Sequence, residues 1–462
     1  MSSQIGLIGL GTMGKSLARN IASRGYKVSV WNRTYAKVTS FVDEFGADKF
    51  YAPQNFEDFI NSIEVPRKII LLLPSGEATE KTIEQLAGIL DAGDSVMDGA
   101  NQHFMDSQAF QEMMTSKGIH LLSCGVSGGE EGALKGPSMM PGGPIEAWNL
   151  FEPILSAAAA EDFSGGACVA YMGEKGAGHY VKMVHNGIEY AEMQMLAEAY
   201  KLLHDVYRLS HDEIADIFEE WNAGDLASYL TEISVEVLRK KEEGKDLLDL
   251  ILDKAGQKGT GRWTSEEALV LGVPTPSITG AVFMRAFSAD KSVRTRIEEH
   301  FPSISQAPNM TISEAASHLE KALLAARVSN FEQGFALLRA ADEAYGFNLN
   351  LSEIVRVWQG GCIIRSKVLK DMHAAFKENT DSLYFSGFAQ KIINEGLSSW
   401  RLIVQLATAQ SVPMLSLSGA LTHFEAYSQG RGSANFIQGL RDNFGAHTYE
   451  RVDKEGSFHS KW

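Results

Sequence analysis

The chain has 462 residues, more than one hydrophobic core usually serves, so two or three domains are expected. Hydrophobic residues make up 44% and charged residues 22%, an ordinary balance for a globular protein that works in water. The formal net charge of −16 argues against nucleic acid or an anionic membrane surface as the main partner, and an anionic substrate would need a local cationic pocket.

Three cysteines, Cys124, Cys168 and Cys362, are far apart and form no CxxC pair. A disulfide framework or a zinc site is not expected, no metal is assigned, and a reducing compartment fits. The N-terminus MSSQIGLIGLGTMG lacks a basic segment ahead of a cleavable apolar run, so its apolar residues read as a strand. No run of about 18 apolar residues suggests a membrane span. The final Ser-Lys-Trp does not match the peroxisomal Ser-Lys-Leu address. A cytoplasmic enzyme is the expectation.

Residues 4–10 form an apolar run that turns into glycines and then a helical pattern. Gly9, Gly11 and Gly14 give G-x-G-x-x-G directly after a strand and at the opening of a helix. The first glycine permits the turn, the second lets a pyrophosphate approach the backbone, and the third allows close helix–strand packing. The loop Gly9-Leu10-Gly11-Thr12-Met13-Gly14 is therefore a candidate dinucleotide site. Residues 26–31 alternate as a second strand, and Asn32-Arg33-Thr34 follow where the ribose-reading residue belongs. An acid there would favour NAD. Arg33, with Thr34 and with Lys37 a turn later, suits a 2′-phosphate and favours NADP, unless Arg33 is an ordinary surface arginine.

Further strands are expected at 68–73, 95–98 and 119–122, with helical patterns between them, which implies a parallel, doubly wound sheet. The loop 125–132, GVSGGEEG, offers Ser127, Gly128 and Gly129 with free backbone N–H groups suited to a carboxylate. The Gly-rich stretch 173–179 would bring the N-terminus of the next helix close to a ligand.

From about residue 175 the pattern becomes helical, with segments at 178–206, 211–222, 225–239, 245–253, 312–345 and 351–370. The first carries KMVHNGIEY. Lys182, His185, Asn186 and Glu189 stand at i, i+3, i+4 and i+7, on one helix face. Lys182 and Glu189 would lie about 10 Å apart along the axis, too far for a simple ion pair and well placed for two ends of a small substrate. A solvated helix face is the alternative that spacing leaves open. Lys258 lies among glycines in DKAGQKGTGRW, Arg285 follows in AVFMRAF, and Arg441 and His447 sit in RDNFGAHTYE. The final thirty or so residues read as an extended tail with one short helix, and no tandem repeat is evident. The expected organisation is an α/β Rossmann-type domain over 1–176, an all-helical domain over 177–433, and a tail over 434–462.

GLGTMG, NRT, GVSGGEEGALKGPSMMPGG, KMVHNGIEY, AGQKGTGRWT, GGCIIRS and RDNFGAHTYE together resemble the 6-phosphogluconate dehydrogenase family, within the β-hydroxyacid dehydrogenases, over essentially the whole chain. The resemblance implies oxidation of 6-phospho-D-gluconate with NADP⁺, without a metal, to ribulose 5-phosphate and CO₂. Lys182 would be the general base and Glu189 the acid that protonates C1 of the enediol. His185 and Asn186 would bind substrate and stabilise developing oxygen charge. Asn101, Ser127, Gly128 and Gly129 match positions near the substrate carboxylate and nicotinamide. Tyr190, Lys258, Thr260, Arg285 and Arg441 match substrate contacts, most of them around the phosphate, and His447 matches a further one. The six-residue glycine loop, Asn32, Arg33, Thr34, Leu73, Pro74, Ser75 and Asn101 match cofactor positions. The tail would act in trans, implying a homodimer.

Two departures stand out. The usual Lys-Ala-Gly after the third long strand reads Pro74-Ser75-Gly76, which loses a cation, and Asp-Gly-Gly-Asn reads Asp98-Gly99-Ala100-Asn101. A dehydrogenase of smaller hydroxy acids and a non-catalytic NADPH-binding protein are the rival readings.

Overall fold

The computed structural model describes residues 2–301, 307–378 and 380–462. A seven-stranded sheet is built from β1 (Ile5–Ile8), β2 (Val28–Trp31), β3 (Phe50–Tyr51), β4 (Lys68–Leu71), β5 (Ser95–Asp98), β6 (His120–Ser127) and β7 (Ser138–Gly142). Their order is β3-β2-β1-β4-β5-β6-β7. All neighbours pair in parallel except β7, which runs antiparallel to β6 from Ser123↔Gly142 to Ser127↔Ser138. Ile5, Leu7, Val28, Val30, Ile69, Ile70 and Val96 are fully buried, because helices cover both faces of such a sheet. The order reverses between β1 and β4, which opens a crevice at their carboxyl ends, where ligands of doubly wound sheets bind.

The helix Ala177–Lys201 lies against β6 and β7. Close approach is possible because the contacts are glycines. A Cβ on Gly178 would strike the carbonyl oxygens of Ser123 and Met140, and one on Gly125 would strike the Lys182 side chain. The glycines of 173–179 are thus used for packing: Gly176 abuts the Phe104 carbonyl and Gly173 that of Phe347.

The helical part is centred on Ile312–Tyr345, which opens with a Thr311/Glu314 capping box and ends at Gly346 with φ 63°. Gly334 admits Ile188 and Val184 of the first long helix. A buried ion pair, Arg327 Nε to Glu192 Oε2 at 2.8 Å, ties the two helices, and Asn330 donates to Ile188 O and Glu192 Oε1. Thr260–Val270, Pro276–Ala289, Gly387–Ala409 and Leu415–Tyr427 complete the packing. No helix of the described residues is long and apolar enough to cross a membrane.

Several expected spans change. The helix expected over 178–206 ends as a π-turn at Leu202–Val206. The segment 245–253 is a two-residue strand, Lys245–Asp246, paired with Lys241–Glu242, and a single turn, Leu247–Leu250. The segment 351–370 breaks into Leu351–Val357 and Leu369–Lys377, because Gly361 takes φ 65° and its carbonyl accepts from Ser138 N on β7. An inexact repeat, missed in the sequence, is also present. Val273-Pro274, Ser277, Gly280-Ala281 and Val412-Pro413, Ser416, Gly419-Ala420 open two helices 139 residues apart. Gln333 Oε1 accepts from Ser277 N, Glu198 Oε1 accepts from Ser416 N, and Ser416 Oγ donates to Ser277 O.

The tail is more ordered than an extended segment. Helix Ala434–Gly445 is followed by a hairpin of Tyr449–Glu450 with Ser457–Phe458. Asp442 organises it, accepting from Thr448 N, Ser460 N, His459 Nδ1 and Trp462 Nε1. Burial raises the Asp442 carboxyl, but these donors outweigh it and hold it at about 2. Phe436, Ile437, Leu440 and Phe444 on the same helix are at least half exposed.

Candidate active site

The glycine loop has the shape its sequence requires. Gly9 takes φ 105°, and a Cβ there would hit the Leu72 carbonyl. A Cβ on Gly14 would hit the Gly9 carbonyl, whereas Gly11 faces open space within 4 Å, the opening a pyrophosphate needs. Asn32 Oδ1 accepts from Leu10 N at 3.2 Å, so the residue after β2 holds the loop. Arg33, Thr34 and Lys37 are exposed beside it, free to meet a 2′-phosphate. Thr12 and Met13 open the helix Thr12–Ser23. These residues fit a dinucleotide.

Across the crevice, Leu73 is half-buried, Pro74 and Ser75 are exposed, and Thr79 Oγ1 donates to Pro74 O at 2.9 Å. Asp98 Oδ1 accepts from Ala100 N, which bends the chain so that Asn101 takes φ 54°. Asn101 Oδ1 is buried without a partner, an acceptor waiting for a donor. Burial pushes the Asp98 carboxyl up to about 7, against the pull of the Ala100 N–H.

Lys182 and His185 of the polar stripe are buried and Asn186 and Glu189 partly buried, which removes the solvated-face alternative. Lys182 is 6% exposed and His185 fully buried. Lys182 Nζ lies 3.3 Å from His185 Nδ1, which lies 3.1 Å from Asn186 Oδ1 and 3.8 Å from Glu189 Oε2. His185 Nε2 is 3.5 Å from Ser127 Oγ, linking the stripe to the end of β6. There Gly128 (φ 119°) and Gly129 (φ 62°) turn the chain into the helix Gly129–Lys135, and a Cβ on Gly128 would strike the Gly361 carbonyl.

Burial lowers the Lys182 ammonium from its ordinary value, although the Glu189 carboxylate opposes this. Burial raises the Glu189 carboxyl, opposed by Lys182 and Arg285. Burial and then Lys182 hold His185 well below the ordinary imidazole value, so it is neutral.

Arg285 lies over the Tyr190 ring at 3.4 Å and donates to Gly256 O at 2.9 Å, joining the stripe to the loop that carries Lys258. Lys258 is exposed, and Thr260 begins a helix whose Thr264 Oγ1 donates to Met183 O. Gly261 lets that helix reach the Tyr190 ring. Arg441 and His447 are not brought to this cluster within the chain: Arg441 donates to Gln438 of its own helix, and His447 packs on Phe444.

Trp358, edge-on to His185 at 5.7 Å, walls the stripe and was not foreseen. Among the described residues, three metal-ligating side chains converge at His211, Asp246 and Asp249, outside the stripe. There the two ring nitrogens of His211 face different carboxylates and Lys241 pairs with Asp246, the pattern of an ion-pair cluster.

Comparison with known proteins decides the family. The family profile of the NAD binding domain of 6-phosphogluconate dehydrogenase matches residues 4–173, and that of the 6-phosphogluconate dehydrogenase C-terminal domain matches 178–462. The chain belongs to the 6-phosphogluconate dehydrogenase family. It is 46% identical to the NADP(+)-dependent, decarboxylating 6-phosphogluconate dehydrogenase of Bacillus subtilis, over 99% of each chain. It is 43% identical to the decarboxylating 6-phosphogluconate dehydrogenase of Staphylococcus aureus strain N315, over 100% of this chain and 99% of that one. The solved 6-phosphogluconate dehydrogenase of Plasmodium falciparum, described in apo form and with NADP+ or 6-phosphogluconate, superposes with a TM-score of 0.95 at 37% identity. That match covers 99% of this chain and all of the other. As a member of the 6-phosphogluconate dehydrogenase family, the chain keeps both parts of its two-part architecture.

Proposed function

We propose that the chain catalyses NADP-dependent oxidative decarboxylation of 6-phospho-D-gluconate to D-ribulose 5-phosphate and CO₂, without a metal. The observation that carries this reading is the helix face that sets His185 Nδ1 3.3 Å from Lys182 Nζ and 3.8 Å from Glu189 Oε2, where burial favours the neutral amine and the neutral acid. Bound in the glycine-loop crevice, NADP⁺ supplies the hydride acceptor. Neutral Lys182 takes the C3 hydroxyl proton as that carbon is oxidised to a ketone. The product is a β-keto acid, so the C1–C2 bond can break with its electrons moving to the C3 carbonyl, and CO₂ leaves. Lys182, now an ammonium, stabilises the enediolate oxygen, and protonated Glu189 delivers the proton to C1 of the five-carbon enediol.

His185 and Asn186 orient the substrate hydroxyls and spread oxygen charge. Asn101 and the Ser127-Gly128-Gly129 turn hold the carboxylate end. Tyr190, Lys258, Thr260 and Arg285 form the phosphate end. Arg441 and His447 of the partner subunit complete it in a homodimer, a role favoured by the tail's exposed apolar face, which a single chain leaves uncovered. The segments 1–176, 177–433 and 434–462 then serve cofactor, substrate and partner. Three buried free thiols suit a reducing cytoplasmic setting.

The test is an assay of purified protein with 6-phosphogluconate and NADP⁺, following NADPH absorbance and CO₂ release. Stoichiometric NADPH and CO₂ are expected. No turnover at excess substrate overturns the reading, and reduction without CO₂ supports a simple hydroxyacid dehydrogenase instead.

A further inference from the structure

We propose that Gln102 is a cofactor-binding residue that donates a hydrogen bond to the nicotinamide half of NADP⁺, beside a crevice loop that carries no cation. The inference rests on the cofactor reading above. Between Leu72 and Glu80 the crevice loop has no basic residue, and the first cation beyond it, Lys81, is paired with Glu77. An anionic, oxygen-rich ligand arriving here must therefore find donors elsewhere.

Gln102 follows Asn101 at the end of β5 and is 4% exposed. Its Oε1 accepts from Gly76 N at 2.7 Å. That contact fixes the orientation of the amide, since only the oxygen can meet an N–H. Nε2 is then turned the other way, and it is buried with no partner. Two N–H donors sealed from water without an acceptor are costly, and a ligand oxygen relieves that cost. Gly76 itself (φ 89°) has nothing within 4 Å of a Cβ position, so the loop has room to shift there and admit a ligand oxygen to the buried Nε2. The preceding residue, Asn101, carries a free acceptor, Oδ1.

The location selects the half of the cofactor. The 2′-phosphate candidates Arg33 and Lys37 follow β2, on one side of the switch point, whereas Gln102 and Gly76 follow β5 and β4 on the other. A dinucleotide spanning the crevice puts its adenosine on the first side and its nicotinamide on the second. One side chain thus does two things: its oxygen fixes the loop, and its nitrogen addresses the ligand.

Calorimetric titration of the full-length protein with NADP⁺ and with 2′,5′-ADP, which lacks the nicotinamide half, separates the two. Gln102→Glu keeps the acceptor for Gly76 N and removes the donor, and Gln102→Met removes both. Both variants are expected to bind NADP⁺ about tenfold more weakly, with 2′,5′-ADP affinity within twofold of the parent. The Met variant carries no charge, so a deficit shared by both variants is not charge repulsion. NADP⁺ affinities within twofold of the parent, equal losses for both ligands, or a deficit confined to the Glu variant would each overturn the role. A parent protein that binds 2′,5′-ADP but not NADP⁺ also overturns it, and one that binds neither overturns the cofactor reading beneath it.

Discussion

Lys182 and Glu189 have opposite requirements, and burial serves both, because it disfavours the charged form of an amine and of a carboxyl alike. The signs give a pH profile. A base with a lowered pKa loses activity as pH falls through that pKa, and an acid with a raised pKa loses it as pH rises through its own. A bell-shaped kcat profile is expected, and Glu189→Gln should lower kcat about 100-fold or more and remove the alkaline limb. An unchanged alkaline limb in steady-state assays would remove Glu189 as the acid. Lys182→Met should lower kcat by roughly 10³-fold while NADP⁺ binding, read by fluorescence titration, stays at the parent value. Arg33→Glu should reverse the preference for NADP over NAD, measured as the ratio of kcat/KM values, since a carboxylate repels a 2′-phosphate and accepts from a 2′-hydroxyl.

At the scale of elements, the site depends on how closely the helix Ala177–Lys201 approaches β6 and β7. Gly178→Val would push its side chain into the Ser123 and Met140 carbonyls, so a loss of about 2 kcal/mol or more is expected in urea unfolding, with kcat falling as Lys182 moves. The glycine loop and the first long helix were legible because their signals are local: turn geometry, a period of 3.6, a polar stripe. β7 was not, because Ser138–Gly142 contains Pro141 and is flanked by glycines, and so reads as loop until β6 provides an edge. The break at Gly360-Gly361 was hidden for a similar reason, since it is needed only because β7 requires an acceptor for Ser138 N. Trp358 against His185 joins residues far apart in sequence, and no spacing announces such a contact. The stripe was legible as a pattern, but whether it was wet or buried depended on elements that pack over it.

At the scale of the whole molecule, one chain carries the cofactor crevice and the stripe, while its tail, with Arg441 and His447, makes its hydrogen bonds among its own residues. Asp442→Ala removes the acceptor of four donors. Tail disorder is expected, seen as faster tryptic cleavage after Arg451 and Lys454, with KM for 6-phosphogluconate raised at least tenfold and NADP⁺ affinity unchanged. Equal cleavage rates for variant and parent would dissociate Asp442 from tail order. If the tail serves a neighbouring subunit, the damage of a variant need not stay in its own chain. Lys182→Met and Arg441→Ala proteins, each nearly inactive alone, could then be unfolded and reassembled together. Random pairing would make about half the dimers mixed, each with one undamaged site, so that two inactive preparations would regain about a quarter of parental activity.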